Sequence, residues 1–150
     1  MIEIHGADEL RRLAGQDIPA SPWLEIDQAR IDAFAAATLD DQWIHVDTQR
    51  AAASPFGTTI AHGFLTLSLI PHFRMQVIRI DGFAMTINYG LNRVRFPAPV
   101  LSGSRIRARF AIRDVTDVPG GVQEVTEVTI ERDGEQKPVC VAETMVRHYL

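Results

Sequence analysis

The sequence predicts an α+β fold in which a curved antiparallel sheet of about five strands wraps around one central, buried helix. Residues 64–70 are apolar or small on every side of a helix, which is typical of a helix that is buried all round. From residue 82 onwards the hydrophobic period becomes two, which indicates half-buried strands. Wrapping the sheet around the helix is the simplest way to cover both. We expect the 150 residues to form a single domain, 1–150.

Helices are predicted mainly in the first half of the chain. In order, the predicted elements are a helix over 7–14, a short strand over 23–26, a helix over 28–37, a loop over 38–44, and a short helix over 47–53. Asp27 can cap the second helix, because an aspartate at that position accepts a hydrogen bond from a first-turn N–H. Pro71 is expected to kink the buried helix or to end its first part.

Strands are predicted in the last part of the chain. They run over 83–89, 92–96, 105–113, 122–132 and 138–149, with turns at 118–121 and 133–136. In 105–113 apolar residues alternate with arginines, so one face is expected to be buried. Glu127 and Glu131 stand where they can pair with those arginines across the ladder. A single sheet leaves an edge and a face to cover, so we expect a homodimer.

Composition excludes several classes of partner and site. A net charge of −4 argues against nucleic acid as a partner, because phosphate binding needs clustered positive charge. The one cysteine, Cys140, allows neither an internal disulfide nor a cysteine metal site. No carboxylate or histidine stands at metal-ligand spacing from His5, His72 or His148, so no metal is expected. The apolar segment near 60–71 is short of the ~20 residues that span a membrane. The N-terminus lacks a signal-peptide pattern, so we expect a cytoplasmic protein.

Asp40 and His45, in T-L-D-D-Q-W-I-H (38–45), are candidates for acid–base chemistry. Turning chain of this length can bring the two side chains to one point. A carboxylate and an imidazole together suit proton transfer, because histidine titrates near neutral pH. The alternative is that Asp40 hydrogen-bonds a loop while His45 starts a helix, since turns are rich in aspartate. Spacing alone favours this alternative and leaves the first interpretation open.

Gly63, in A-H-G-F (61–64), stands at the start of the predicted buried helix. The N–H groups of a helix start have no intrahelical acceptor, and such groups bind anions or a developing oxyanion. The alternative is that Gly63 only permits close packing. We interpret His62 as a capping or structural histidine.

Asn88 and Arg93 are polar residues within strand-like sequence. Asn88 can reach a substrate amide or carbonyl, and Arg93 can meet a phosphate-bearing ligand. A solvent-facing position on a strand is the favoured alternative for each residue. No nucleophile-elbow, P-loop or dinucleotide-binding motif occurs in the chain.

Taken together, three segments resemble the MaoC-like dehydratase family, the R-specific enoyl-CoA hydratases with the hotdog fold. The segments are F-A-A-A-T-L-D-D-Q-W-I-H (34–45), I-A-H-G-F-L-T-L-S-L (60–69) and N-Y-G-L-N-R-V-R-F-P-A-P-V (88–100). Q-W-I-H in place of the family's N-P-I-H resembles the nodulation-protein-N-like branch.

The resemblance implies a role for several residues. Asp40 and His45 fall on the family's catalytic pair, and Gly63 falls on the glycine whose N–H faces the thioester carbonyl. Gln42 and Trp43 stand where the family has Asn and Pro, beside the substrate, and Leu39 stands where Gly is common.

The reaction that the resemblance implies is reversible hydration of a trans-2-enoyl thioester to an R-3-hydroxyacyl thioester. His45 is assigned as the base and Asp40 as the acid. The substrate is expected to be an acyl-CoA or acyl-carrier-protein thioester, with no cofactor. Two alternatives stay open, a hotdog acyl-CoA thioesterase and a catalytically silent acyl-thioester-binding protein.

Overall fold

The computed structural model describes residues 1–150, which form seven strands and six helices. The strands are β1 (Ile2–His5), β2 (Leu24–Ile26), β3 (Ile78–Asp81), β4 (Met85–Arg95), β5 (Ser104–Val118), β6 (Gly121–Arg132) and β7 (Cys140–Tyr149). The helices are α1 (Gly6–Leu13), α2 (Gln28–Thr38), α3 (Trp43–Val46), α4 (Thr48–Ala52), α5 (Gly63–Ser68) and α6 (Ile70–Met75). None of the helices is long and apolar enough to cross a bilayer.

Five strands make one antiparallel sheet in the order β2-β5-β6-β7-β4, and β1 and β3 make a separate parallel pair. The inward side chains of β5 are Ile106, Ala108, Phe110 and Ile112, all buried as the alternation predicts. They belong to one apolar core with residues of α5 and α6, and α6 packs against β5 while α5 packs against β7. The predicted α+β arrangement of sheet and central helix is therefore confirmed.

Two helices begin after an aspartate that caps their first turn. Asp27 Oδ1 accepts a hydrogen bond of 2.9 Å from the Arg30 N–H at the start of α2, as predicted. Asp47 Oδ1 accepts an equivalent bond of 2.9 Å from the Arg50 N–H at the start of α4. Each carboxylate satisfies an N–H that the helix itself leaves without an acceptor.

The central helix is divided in two and is not buried on every side. Leu69 separates α5 from α6, and Pro71 lies in the first turn of α6, where its missing N–H costs nothing. The prediction of complete burial is wrong at Phe64, which is 67% exposed. Its ring lies on an uncovered surface in edge contact with Phe96, 6.2 Å between centroids.

The sheet has five strands, but they are not the five predicted. Segments 83–89 and 92–96 join into the single strand β4, with register shifts between Asn88 and Gly90 and between Leu91 and Arg93. The fifth position is filled by β2, which pairs with β5. The short strands β1 and β3 had no signal of their own in the sequence analysis.

The ladder of charges between β5 and β6 is confirmed. Arg107 and Arg109 both reach Glu131 Oε1 at 2.8 Å, and Arg113 reaches Glu127 at 3.0 Å. These pairs lie on the outer face, where exposed ion pairs contribute little to stability.

A buried polar cluster joins α6 to the inner face of the sheet. Glu124 is fully buried and accepts hydrogen bonds from Arg74, at 2.5 Å, and from the Thr126 hydroxyl, at 2.5 Å. His148 Nε2 lies 3.2 Å from the same carboxylate, and His148 Nδ1 lies 2.9 Å from the Thr86 hydroxyl. Burial raises the pKa of Glu124, but the bonds to His148 and Arg74 outweigh it and hold that pKa below its ordinary value.

We predict that Glu124→Ala destabilises the fold by about 3–5 kcal/mol, because it leaves the guanidinium of Arg74 without its buried partner. The control Glu127→Ala, on the same strand but exposed, should cost at most about 1 kcal/mol. Urea unfolding measures both. Because the folded-state pKa of Glu124 is lowered, its contribution to stability is present at neutral pH and is lost as the pH falls through that pKa. Equal losses in the two variants would contradict this account.

Candidate active site

The segment 59–62 is an extended connection that is fixed on both sides. On one side the Ile60 N–H donates to the Ile44 carbonyl at 3.0 Å. On the other side the Ala61 N–H donates to the Val100 carbonyl at 2.8 Å, and the Ser102 N–H donates to the Thr59 carbonyl at 2.9 Å. The connection therefore holds α3 and the start of α5 in fixed positions next to each other.

The His45 imidazole is anchored to this connection through one nitrogen. His45 lies in α3, is 6% exposed, and its Nδ1 lies 2.7 Å from the Ile60 carbonyl oxygen. A carbonyl only accepts, so Nδ1 carries the hydrogen and Nε2 of the neutral ring is left with a free lone pair. The His45 backbone carbonyl is also held, because it accepts a 2.8 Å bond from the Gln28 side chain.

The surroundings of His45 favour its neutral form. Burial lowers the pKa of His45, and the neighbouring His62 ring lowers it further. The hydrogen bond to the Ile60 carbonyl and the charge of Asp40 act in the opposite direction, but the net result is a pKa below the ordinary value of 6.5. At neutral pH the ring is therefore an unprotonated base.

Asp40 reaches this site from the turn that ends α2. Leu39 is 87% exposed and has φ = 61°. This left-handed conformation favours glycine, so a leucine at this position is unusual. The turn brings the Asp40 carboxylate, one nitrogen of His45 and one nitrogen of His62 within 4.8 Å of one another. Asp40 itself is exposed.

His62 lies face to face with His45. Their ring centroids are 3.7 Å apart with an interplanar angle of 23°. His62 Nε2 lies 2.9 Å from the backbone carbonyl oxygen of Asp40. His62 occupies the position before α5, but its side chain makes no capping bond. Of the two interpretations, capping or structural histidine, the structure therefore supports the second.

The cluster of Asp40, His45 and His62 is a poor fit for a metal ion. A metal binds a histidine nitrogen at about 2.0–2.1 Å, near the plane of the ring. Stacked rings that are nearly parallel direct their in-plane lone pairs side by side, so the two nitrogens do not converge on one point. The arrangement suits proton transfer better than chelation.

Gly63 is in contact with an aromatic ring and has an unused N–H. A Cβ built on Gly63 would lie 2.8 Å from Phe96 Cδ2, so only glycine fits without displacing that ring. The Gly63 N–H has no acceptor within the chain, as expected for the first residue of a helix. A bare donor at this point is suited to stabilising an oxygen that acquires negative charge.

His45 and Gly63 open into the same cavity, which has a volume of about 310 Å³. Its other lining residues are mainly apolar: Phe56, Ile60, Ala61, Thr66, Phe96, Pro97, Ala98, Pro99, Val100 and Val139. A cavity with an apolar lining and two convergent polar groups is typical of a site for a largely apolar ligand.

The other predicted substrate-binding residues lie outside this cavity. Gln42 is exposed and precedes α3, and Trp43 lies under the Arg50 guanidinium, 4.2 Å from its ring centroid. Asn88 and Arg93 are exposed on β4. Their roles stay predictions, because none of the four lines this cavity.

No pattern in the sequence indicated a chemical role for His62 or identified Phe96 as part of the site. The signal for His62 was its place directly before Gly63, but only the fold shows that its ring stacks on His45. Cys140 is buried, and burial raises the pKa of its thiol to about 11, which makes it a poor nucleophile.

Comparison with known proteins is consistent across sequence and structure. The sequence profile of the MaoC like domain matches residues 10–134. The chain is 51% identical over 141 residues to 3-hydroxyacyl-thioester dehydratase Z of Mycobacterium tuberculosis (strain H37Rv), with 93% of each chain covered. It is 47% identical over 146 residues to nodulation protein N of Rhizobium leguminosarum bv. viciae, which covers 95% of this chain and 89% of the relative.

Among solved structures, the fold is similar to R-hydratase PhaJ1 from Pseudomonas aeruginosa in the unliganded form. The TM-score is 0.68 at 24% sequence identity, and the match covers 89% of this chain and 82% of the other. At this level of identity the similarity shows a shared fold.

We predict that His45 titrates below 6.5 and carries its hydrogen on Nδ1 at neutral pH. Imidazole ¹H–¹⁵N NMR spectra across the pH range measure both properties, and loss of the signal in His45→Gln assigns it. Because the folded-state pKa is lowered, the contribution of His45 to stability is present above about pH 6.5 and is lost as the pH falls through the folded pKa. The hydrogen on Nε2 would show that the anchor on Ile60 is wrong, whereas a titration above 6.5 would show that burial does not dominate the surroundings of His45.

Proposed function

The chain belongs to the MaoC-like domain family and is a hotdog-fold enzyme of the dehydratase/hydratase kind, and on that premise we propose that it reversibly hydrates trans-2-enoyl thioesters to R-3-hydroxyacyl thioesters. The thioester carrier would be CoA or an acyl carrier protein. The proposed reaction needs no cofactor, because water and two proton-transferring groups are enough for it.

One observation carries the proposal: the His45 ring keeps a free lone pair on Nε2 and has the Asp40 carboxyl within 4.8 Å of one of its nitrogens. Since Nδ1 donates to the Ile60 carbonyl, the proton from water can go only to Nε2. The lowered pKa of His45 keeps that nitrogen unprotonated before the reaction. These two properties support the assignment of His45 as the base and leave Asp40 as the acid.

In the forward direction, His45 Nε2 takes one proton from a water molecule while the water oxygen bonds to C3. The electron pair of the C2–C3 double bond moves towards the thioester carbonyl and gives an enolate. Asp40, in its acid form, delivers a proton to C2, and the carbonyl is restored. The proton on His45 then returns to the Asp40 carboxylate, which lies within 4.8 Å, so that one water molecule is added in total.

The Gly63 N–H would donate to the enolate oxygen. A pre-positioned donor of this kind typically contributes about 10²–10³ in rate. The close contact with Phe96 supports this role, because it keeps the helix start free of a side chain that would separate the donor from the substrate. The apolar cavity between Phe56, Phe96 and Val139 would accept the acyl chain.

We propose a homodimer formed along β4. This edge strand of 11 residues is exposed over most of its length, and it carries four exposed apolar side chains, Met85, Ile87, Tyr89 and Leu91. A long edge strand with apolar side chains pairs readily with another chain, and monomers rarely leave such a strand uncovered. A second copy would also cover Phe64 and bring Asn88 and Arg93 towards a binding surface.

Asp40→Asn and His45→Gln should each lower the hydration rate by about 10²–10⁴, because each removes one proton-transferring group. The assay follows loss of enoyl absorbance over a series of acyl chain lengths, with circular dichroism to check folding. Asp41→Asn is the matched control and should keep the wild-type rate, since Asp41 is exposed and is not part of the cluster.

The same assay distinguishes the alternatives. Free thiol released at the rate of substrate loss would indicate a thioesterase and contradict hydration. Ligand binding without turnover at every chain length would indicate a silent binding protein. Wild-type turnover in both Asp40→Asn and His45→Gln would show that the pair is structural.

Ile87→Lys should raise the dimer dissociation constant on the order of 10²-fold, because it places a charge at the centre of the proposed apolar contact. Sedimentation should give twice the 16.7 kDa chain mass for the wild type and one chain mass for the variant. Ala36→Lys adds the same charge on the exposed face of α2 and should leave the dimer intact. A monomeric wild type at micromolar concentration would rule out the β4 contact.

A further inference from the structure

The two ring nitrogens of His62 have opposite surroundings. Nε2 lies 2.9 Å from the Asp40 backbone carbonyl oxygen, and because a carbonyl only accepts, this nitrogen is the donor. Nδ1 is buried and has no hydrogen-bond partner, in a residue that is only 2% exposed. The side chain of His62 therefore makes one hydrogen bond, and that bond goes to the backbone of Asp40.

The plane of the His62 ring is fixed by two other rings. The His45 ring stacks on one side at 3.7 Å, and the Phe34 ring packs against it at 4.9 Å with a tilt of 53°. Both contacts restrict the tilt of the His62 ring. Its donor nitrogen is consequently aimed at a fixed point.

Asp40, in contrast, is weakly restrained by its own segment. It is exposed, follows the left-handed turn at Leu39, and its carboxylate makes no hydrogen bond within the chain. The bond from His62 is a long-range restraint, spanning 22 positions of sequence. Without it, nothing in the rigid part of the site fixes the Asp40 backbone relative to His45.

We infer that His62 is a positioning residue, which holds the acid Asp40 at a fixed distance from the base His45. It serves as a spacer through the ring stack on His45 and as an anchor through its bond to the Asp40 carbonyl. In its kinetic part this inference rests on the proposed hydration reaction.

His62 acts through Asp40 and does not react itself. Its one nitrogen without a hydrogen-bond partner, Nδ1, is buried, so it is not presented to a substrate. If His45 and His62 were both in the cationic form, two positive charges would lie in a buried site with ring centroids 3.7 Å apart, which is unfavourable.

Two substitutions separate the anchor from the stack. His62→Phe keeps a ring between Phe34 and His45 but has no donor, whereas the amide of His62→Gln can donate to the Asp40 carbonyl. For His62→Phe we expect kcat to fall about 10²-fold, the typical effect of misplacing a reacting group by about 1 Å, with KM within about twofold of the wild type. His62→Gln should recover at least about tenfold of that loss, because the anchor is restored. His72→Phe and His72→Gln make the same changes at an exposed histidine of α6 and should leave kcat unchanged.

A second measurement does not depend on activity. Backbone ¹⁵N relaxation of residues 39–42 should show lower order parameters in His62→Phe than in the wild type, and wild-type values in His62→Gln. If the wild type hydrates no enoyl thioester, the proposed function fails, but the order parameters still decide whether His62 restrains Asp40. Unchanged order parameters together with wild-type kcat in His62→Phe would overturn the inference. Equal loss of kcat in the Phe and Gln variants would overturn it as well, since the anchor would then not matter.

Discussion

The site depends on the hydrogen bond that His45 donates to the Ile60 carbonyl. This bond fixes which nitrogen of His45 is free, and so decides which atom can accept a proton. The acceptor is held in place, because the Ile60 N–H bonds to Ile44 and the neighbouring residues bond to segment 100–102. The same connection leads directly into His62 and Gly63, so the proposed base, the positioning residue and the oxyanion donor all take their positions from one rigid stretch of backbone.

Much of the fold could be predicted because its signals are local. Alternation of apolar residues and arginines in β5 identified the buried face, and Asp27 identified the start of α2. The short strands β1 and β3 pair only with each other and depend on long-range contacts that no local pattern encodes. The exposure of Phe64 could not be predicted either, because the sequence of an apolar helix does not indicate which side of the helix the sheet leaves uncovered.

The site was predicted less completely than the fold, for a related reason. The spacing of Asp40 and His45 was compatible with an ordinary polar turn, and only resemblance to a family favoured the catalytic pair. The stacking of His62 on His45 joins two segments whose distance in sequence has no characteristic spacing. The residues Gln42, Trp43, Asn88 and Arg93 do not line the cavity, so their contacts with substrate stay predictions.

The most direct test of the central claim, that a neutral His45 is the base, is the pH dependence of kcat/KM for hydration of a trans-2-enoyl-CoA. This quantity reports the pKa of the essential base in the free enzyme. The account predicts a rate that falls towards acid pH with one ionisation, at a pKa below 6.5, because protonation removes the lone pair of Nε2. A fall towards acid pH with a pKa above 6.5 would contradict it.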